Sequence, residues 1–390
     1  MQQQQALSDH VARGELPGAV AAIARGDDLE VAIAGTRALR GGGAMTRDTI
    51  FRISSMTKPI VAAAALALVG DGTLPLDAPV ERWLPELASR RVLRSPDGPL
   101  DDTAPARRAI TVRDLLTYTA GFGMSWSAWT TPTPVVTAAE QRALGAFGPP
   151  HPQAPPPPDV WLRRFAELPL MVQPGERWQY HTSGELLGVV LARAATRPLD
   201  DVLRERILEP LGMRDTGFHV PAASLPRFAT SYQVSPAGSL ELYDDVGGDW
   251  AAPPAFPSGG GGLVSTLDDL LAFARMLVAG GRHAGTRVLP AALVADMTRD
   301  QLAPAQKLDG SLAPGFFAAH GWGYGVCVHT ARDDAGWPAG TYGWDGGLGT
   351  SWRTDPATGT IAVLLTQAMA YPDTWPVYRQ FWASAAPAPA

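Results

Sequence analysis

A single cysteine, Cys327, among 390 residues allows no intrachain disulfide and no CxxC metal or redox motif. Its residue type is usually buried, and the strand-like run from Trp322 to Val328 makes it a core thiol. Charge is sparse, with 18% of residues charged against 46% hydrophobic and a net charge of −6. There is no run of five like charges and no stripe of Lys and Arg interleaved with aromatics, so no nucleic-acid partner is expected. Long apolar runs are also missing: the longest, Ile60 to Val69, is too short to cross a bilayer, and no membrane association is expected. The Gln-rich segment Met1 to Gly14 lacks a basic patch followed by an apolar core, so the expected location is cytoplasmic. No serine has glycines at Gly-x-Ser-x-Gly spacing, which excludes an α/β-hydrolase elbow. The seven histidines are scattered, with no HExxH or His-x-His pair, so neither a catalytic metal nor any cofactor is expected.

What is present is enough apolar residue for a sizeable core. Alternating apolar residues over Gly18 to Arg25 and Leu29 to Gly35, separated by Gly26-Asp27-Asp28, predict a β-hairpin. An Ala/Leu-rich run from Met56 to Val69, stopped by Gly70-Asp71-Gly72, predicts a buried helix with Ser55 at its start. Three- and four-residue apolar spacing predicts helices at Val112 to Leu116, Trp161 to Glu167, Gly184 to Ala195, Leu199 to Leu208 and Thr266 to Ala279. Strand patterns return at Gly323 to His329, Thr341 to Arg353 and Ile361 to Thr366, before a closing helix around Thr374 to Ser384. Strands from both chain ends around a helical middle predict an α+β fold of two lobes. The sheet lobe is assigned to residues 1–75 and 286–390, and an inserted helical lobe to 76–285. Within the latter, the proline-rich stretch 130–158 is either a lid over a site or a mobile excursion. The run Gly259 to Gly262 fits a tight chain reversal before a helix capped by Ser265 or Thr266, and lacks a dinucleotide fingerprint.

The sharpest chemical signal is Ser55-Met56-Thr57-Lys58. Residues three apart share a helix face, so the lysine amine can reach the serine hydroxyl. A serine hydroxyl needs a base at neutral pH, and burial at a helix N-terminus would push a lysine toward its neutral form. The four-residue pattern alone also fits a helix-capping serine beside a solvated lysine.

Longer segments supply context. The run Phe51-Arg52-Ile53-Ser54-Ser55-Met56-Thr57-Lys58-Pro59 resembles the nucleophile segment of class C β-lactamases, low-molecular-weight penicillin-binding proteins and family VIII carboxylesterases. Leu115-Leu116-Thr117-Tyr118-Thr119-Ala120-Gly121-Phe122 is similar to the family's LLTHTSGL stretch, with Tyr118 replacing the usual histidine. Pro174-Gly175-Glu176-Arg177-Trp178-Gln179-Tyr180-His181-Thr182-Ser183 resembles the PGxxxxYSN segment, which implies that Tyr180 is catalytic. Leu208 to Gly217 and Ser258 to Leu271 also follow the family, in the same order.

The resemblance implies a serine hydrolase in which Ser55 is acylated and Lys58 and Tyr180 move protons, the phenol being lowered in pKa by the Lys58 cation. Where most β-lactamases carry Lys-Thr-Gly on a strand, this chain has Trp344-Asp345-Gly346-Gly347, a Trp-x-Gly version common in family VIII esterases. An indole offers an apolar wall and one N–H donor where a lysine would bind a carboxylate. The N–H groups of Ser55 and Gly347 are the implied oxyanion hole. Thr182 stands for the family's asparagine and is expected to hydrogen-bond Lys58, and His181 falls on a position that is not catalytic. The implied substrate-binding set is Trp344, Asp345, Gly346, Thr182 and Tyr118, with Trp126, Trp129 and Phe316 as further aromatic candidates. The expected partner is a small-molecule ester, and the expected reaction is ester cleavage. A β-lactamase, a D-amino-acid peptidase or amidase, an acyltransferase to a small alcohol, and a non-enzymatic binder remain alternatives on the same scaffold. Oligomeric state is left open.

The first test is direct. A fluorophosphonate probe followed by peptide mapping is expected to place its adduct on the Ser55 peptide, and an adduct on another serine removes the assignment.

Overall fold

The computed structural model describes residues 2–124, 133–145, 147–235, 237–308, 311–369 and 375–387. Its centre is a seven-stranded antiparallel sheet. The strands used below are β1 (Gly18–Arg25), β2 (Asp28–Gly35), β3 (Phe51–Arg52), β4 (Val264–Ser265), β5 (His320–Trp322), β6 (Cys327–His329), β7 (Tyr342–Gly346), β8 (Thr350–Asp355) and β9 (Thr360–Thr366). In space the large sheet runs β5-β6-β7-β8-β9-β1-β2, while β3 and β4 pair separately. The expected N-terminal hairpin is β1–β2, in register from Gly18 opposite Gly35 to Arg25 opposite Asp28.

Strand β1 shows how the sheet organises the chain. Successive side chains on a strand point to opposite faces. Ala19, Ala21 and Ile23 therefore join one core with the helices α1 (Gln2–Ala12) and α6 (Pro376–Ala385), through Leu7, Tyr378 and Phe381. Val20, Ala22 and Ala24 join the other core, which also holds helix α2 (Thr57–Gly70) and helix α5 (Leu267–Val278). Because both faces are covered, β1 is buried along nearly its whole length.

That second core continues without a break into the helical region, through Leu115 and Leu116 of α3 (Val112–Leu116) and Leu186 and Val190 of α4 (Thr182–Ala195). The two expected lobes thus share one core. Helix α5, assigned by sequence to the helical lobe, instead lies on the sheet, with Phe273 edge-on to Trp352 of β8 at 5.8 Å between ring centres. The boundary at 285/286 accordingly falls after an element that the sheet already owns, because the apolar stripe of α5 matches the sheet face.

Three further expectations change. The run Gly323 to His329 is not one strand, since β5 ends at Trp322 and the chain turns through Gly323, whose N–H reaches the Val326 carbonyl at 2.9 Å, before β6. Thr341 to Arg353 likewise splits into β7 and β8 around a turn at 347–349, closed by the Gly349 N–H on the Gly346 carbonyl at 3.0 Å. Both turns are short and contain glycines without a polar loop, so the strand pattern resumes across them. The proline-rich stretch 130–158 is not all loop, because Pro134–Gln141 is helical with a proline in its first turn, and Trp161 Nε1 donates to the Leu144 carbonyl at 2.7 Å. Trp126 and Trp129 lie outside the described residues. Among the described residues no helix is long and apolar enough to cross a membrane.

Candidate active site

The site is built where β3 delivers the chain into α2. Arg52 at the end of β3 is buried and donates to Asp244, to the Ala229 and Asp245 carbonyls, and lies over the Phe228 ring at 3.9 Å. Ile53 is held from both sides: its N–H donates to the Leu263 carbonyl at 3.0 Å, and its own carbonyl accepts from Met56 N at 3.0 Å and Thr350 Oγ1 at 3.2 Å. Strand β7 comes so close that a Cβ on Gly346 would lie 2.3 Å from that carbonyl, so this position has room only for glycine. Between these anchors Ser54 takes a φ of +44°, costly for a residue with a side chain, and begins the tight turn Ser54–Met56. Ser55 is the half-exposed member of this buried turn. No side chain caps the turn or α2, so the capping-serine alternative is set aside and the Ser55 hydroxyl faces Lys58.

Lys58 Nζ lies 2.9 Å from Ser55 Oγ. Its other partners are the Gly260 carbonyl and His181 Nδ1, the latter at 3.3 Å. Lys58 is buried, which disfavours its cation and lowers its pKa to about 7, while the charge of Glu185 opposes the shift. Only one other lysine, Lys307, occurs in this arginine-rich chain, and it pairs with Asp300. That scarcity is itself a signal for Lys58.

Tyr180 completes the cluster. Its hydroxyl hydrogen-bonds Ser55 and accepts from Trp344 Nε1 at 2.7 Å. The expectation of an acidified phenol is overturned: burial pushes Tyr180 well above the ordinary tyrosine range, outweighing its hydrogen bonds with Ser55 and Trp344. The geometry explains the difference, since Lys58 Nζ sits over the Tyr180 ring, 4.5 Å from its centre, and the ring is enclosed by Tyr118, Trp178, Trp322 and Trp344. Tyr180 is therefore a protonated phenol, able to give a proton.

The other expected residues divide. Trp344 and Gly346 of β7 stand beside the serine turn, but the indole N–H is spent on Tyr180. Asp345 is half-buried and accepts from Ser351 Oγ. Gly347 is exposed at the start of the following turn with open space about its Cα. Thr182 does not reach Lys58: among the described residues its buried hydroxyl has no hydrogen-bond partner, and the residue facing the amine is His181. The backbone causes this exchange. His181 has φ +79° and ψ −66°, and Thr182 N–H reaches back to the Tyr180 carbonyl at 3.2 Å, a γ-turn that swings residue 181 inward. Tyr118 is buried behind Tyr180, packed against the rings of both Trp178 and Tyr180 with Trp322 at its edge, so it supports the phenol from behind. Of the further aromatics, Phe316 joins this cluster, edge-on to Trp344 at 6.2 Å.

One grouping escaped motif scanning. β5 pairs with β6 so that His320 sits opposite His329, and with Asp333 their ligand-type atoms lie within 4.8 Å. A sheet register, invisible to a linear pattern, makes this cluster. Arg353 already donates to Asp333 at 2.7 Å, so that carboxylate has a cationic partner.

A reachable serine, a buried lysine near neutrality and a protonated tyrosine on this two-lobed sheet scaffold define a β-lactamase-like hydrolase. The chain belongs to the Beta-lactamase family, which it matches over residues 4–386. It is 41% identical over 361 residues to Protein Rv1367c of Mycobacterium tuberculosis, covering 91% of this chain and 86% of that protein. It is 36% identical over 376 residues to Esterase EstB of Burkholderia gladioli, covering 90% and 86%. Among solved structures it is similar to EstCE1, described as a hydrolase with promiscuous acyltransferase activity, with a TM-score of 0.79 at 25% identity over 98% of this chain and 97% of that one.

A lysine whose pKa falls from 10.5 to about 7 on folding destabilises the fold at neutral and low pH, and the penalty fades as pH rises from 7 to 10.5. Lys58→Met is therefore expected to unfold at a higher Tm than wild type at pH 7, with the advantage shrinking toward pH 10.5. Thermal scans across that range check it.

Proposed function

We propose that this protein is a serine carboxylesterase for short-chain or aromatic esters, acting through a Ser55 acyl-enzyme. The observation that carries the reading is the Ser55 hydroxyl placed 2.9 Å from a buried amine with a pKa of about 7. Neutral Lys58 takes the Ser55 proton as Oγ attacks the ester carbonyl. The oxyanion is met by the N–H groups of Ser55 and Gly347. Tyr180 gives its proton to the departing alkoxide and recovers one from the Lys58 cation. Water then attacks the acyl-enzyme with Lys58 again as base, and as the C–Oγ bond breaks the Lys58 cation returns that proton to Ser55 Oγ, releasing the acid.

Ester over β-lactam is favoured by β7. Trp344 puts an indole, and Asp345 a carboxylate, where antibiotic-binding relatives place Lys and Thr, so an anionic substrate loses a charge-assisted partner and faces a like charge. Loss of such a partner costs about 1.5–3 kcal/mol, roughly ten- to a hundredfold. The aromatic enclosure of Trp344 and Phe316 suits a short acyl chain or an aromatic ring. Similarity to Esterase EstB supports the same direction. Transfer of the acyl group to a small alcohol shares the acyl-enzyme, and the promiscuous acyltransferase activity described for EstCE1 favours it as the second reading.

Two experiments test this. Assayed side by side, p-nitrophenyl butyrate is expected to show a kcat/KM well above that of nitrocefin, and nitrocefin matching the ester restores the β-lactamase reading. Tyr180→Phe is expected to lower kcat on ethyl butyrate by about a thousandfold, in the range of a lost general acid, and to cost p-nitrophenyl butyrate much less. An alkoxide needs a proton to leave, whereas p-nitrophenolate does not. Equal losses on both esters make Tyr180 structural.

A further inference from the structure

Behind Lys58 lies a buried chain of groups that the reaction above does not use. His181 Nδ1 is 3.3 Å from Lys58 Nζ, and His181 Nε2 is 3.1 Å from Glu185 Oε1, one turn along α4. Glu185 is buried and also accepts from Ser258 Oγ at 2.6 Å. Gly260 closes the arrangement: its carbonyl accepts from Lys58, and a Cβ on it would lie 2.6 Å from Glu185 Oε1 and 3.0 Å from His181 Cε1. The strained γ-turn at His181 is what brings its ring there, and strain of this kind persists only where the surroundings hold it.

Resting on the Ser55 reading, we propose that Glu185 and His181 form a positioning pair that aims the lone pair of neutral Lys58 at the Ser55 hydroxyl. A neutral amine has two N–H donors and one lone pair. Glu185, an anion, can only accept, so it fixes the proton of His181 on Nε2 and leaves Nδ1 as an acceptor. His181 Nδ1 and the Gly260 carbonyl then take both N–H groups of Lys58. The one direction left is toward Ser55 Oγ, so the amine can only accept the serine proton. With the other imidazole tautomer, Nδ1–H would compete with Ser55 for the lone pair.

The charges facing the pair agree with these protonation states. Burial, then the neighbouring Lys58, lowers the pKa of His181 and keeps it neutral. Burial works against the Glu185 anion, but the hydrogen bonds it accepts from His181 and Ser258 favour it, and its pKa lies below the ordinary value. The phenols of Tyr118 and Tyr180, packed nearby from the turn after α3 and the segment before α4, are both raised and stay neutral. The pair therefore acts through Lys58 and touches no substrate.

The test uses His181→Ala, His181→Asn and Glu185→Gln in the full chain, with p-nitrophenyl butyrate profiles against pH and fluorophosphonate labelling of Ser55. Asparagine keeps an acceptor and tolerates positive φ better than most residues. His181→Ala is expected to lower kcat about ten- to a hundredfold with KM within about threefold, as loss of an orienting partner does elsewhere. His181→Asn is expected to recover at least about fivefold of that loss by restoring an acceptor to Lys58. Glu185→Gln should lower the plateau about tenfold by freeing the tautomer. It should also move the acid limb of kcat/KM to lower pH, because the Glu185 charge raises the pKa of Lys58. Variants with wild-type kcat and an unmoved acid limb overturn the pair, as do equal losses in His181→Ala and His181→Asn without a limb shift. Wild-type protein in which Ser55 takes no label removes the Ser55 reading and the pair with it, whereas labelled wild type with unaffected variants removes the pair alone.

Discussion

Taking a primary amine out of water costs its cation far more than its neutral form, and that constraint at Lys58 organises everything around it. Around the amine, the serine turn before α2, the Gly260 turn and the γ-turn before α4 each contribute one group within its reach. A solvated lysine in the same place would be an ion, and Ser55 beside it an ordinary hydroxyl. The aromatic enclosure has the opposite effect on Tyr180, whose charged form is the deprotonated one. One buried environment thus separates the two groups into a base and an acid.

The scaffold secures this by tying the serine turn to two different parts of the chain. Ile53 is bonded to Leu263 before β4 and to Thr350 of β8, while Gly346 of β7 closes on its carbonyl. Two of the residues at positive φ, Ser54 and His181, flank the reacting groups. Their conformations hold because the sheet, α2 and α4 share one core and leave the turns little freedom to relax.

Strands and helices with regular apolar spacing, such as β1, β2, α2, α3 and α5, were readable along the chain because periodicity is a local property. The hairpins β5–β6 and β7–β8 were not, since their turns are short, glycine-containing and without a polar loop between the strands. The helix Pro134–Gln141 was hidden by its proline-rich flanks, although proline in a first turn is compatible with a helix. The sheet membership of α5 depends on which surface its stripe meets, and a stripe has no address in sequence.

The division is the same at the site. The sequence by itself determined that Ser55 and Lys58 lie on one helical face three residues apart, and that Tyr180 and the Trp344 to Gly347 segment accompany them, because spacing and motif order are linear facts. Tertiary structure alone decided the protonation states, since burial and neighbouring charge come from residues far apart in the chain. It also decided that His181 and not Thr182 meets Lys58, because a single positive φ at residue 181 rotates the side chains that a linear alignment holds in step.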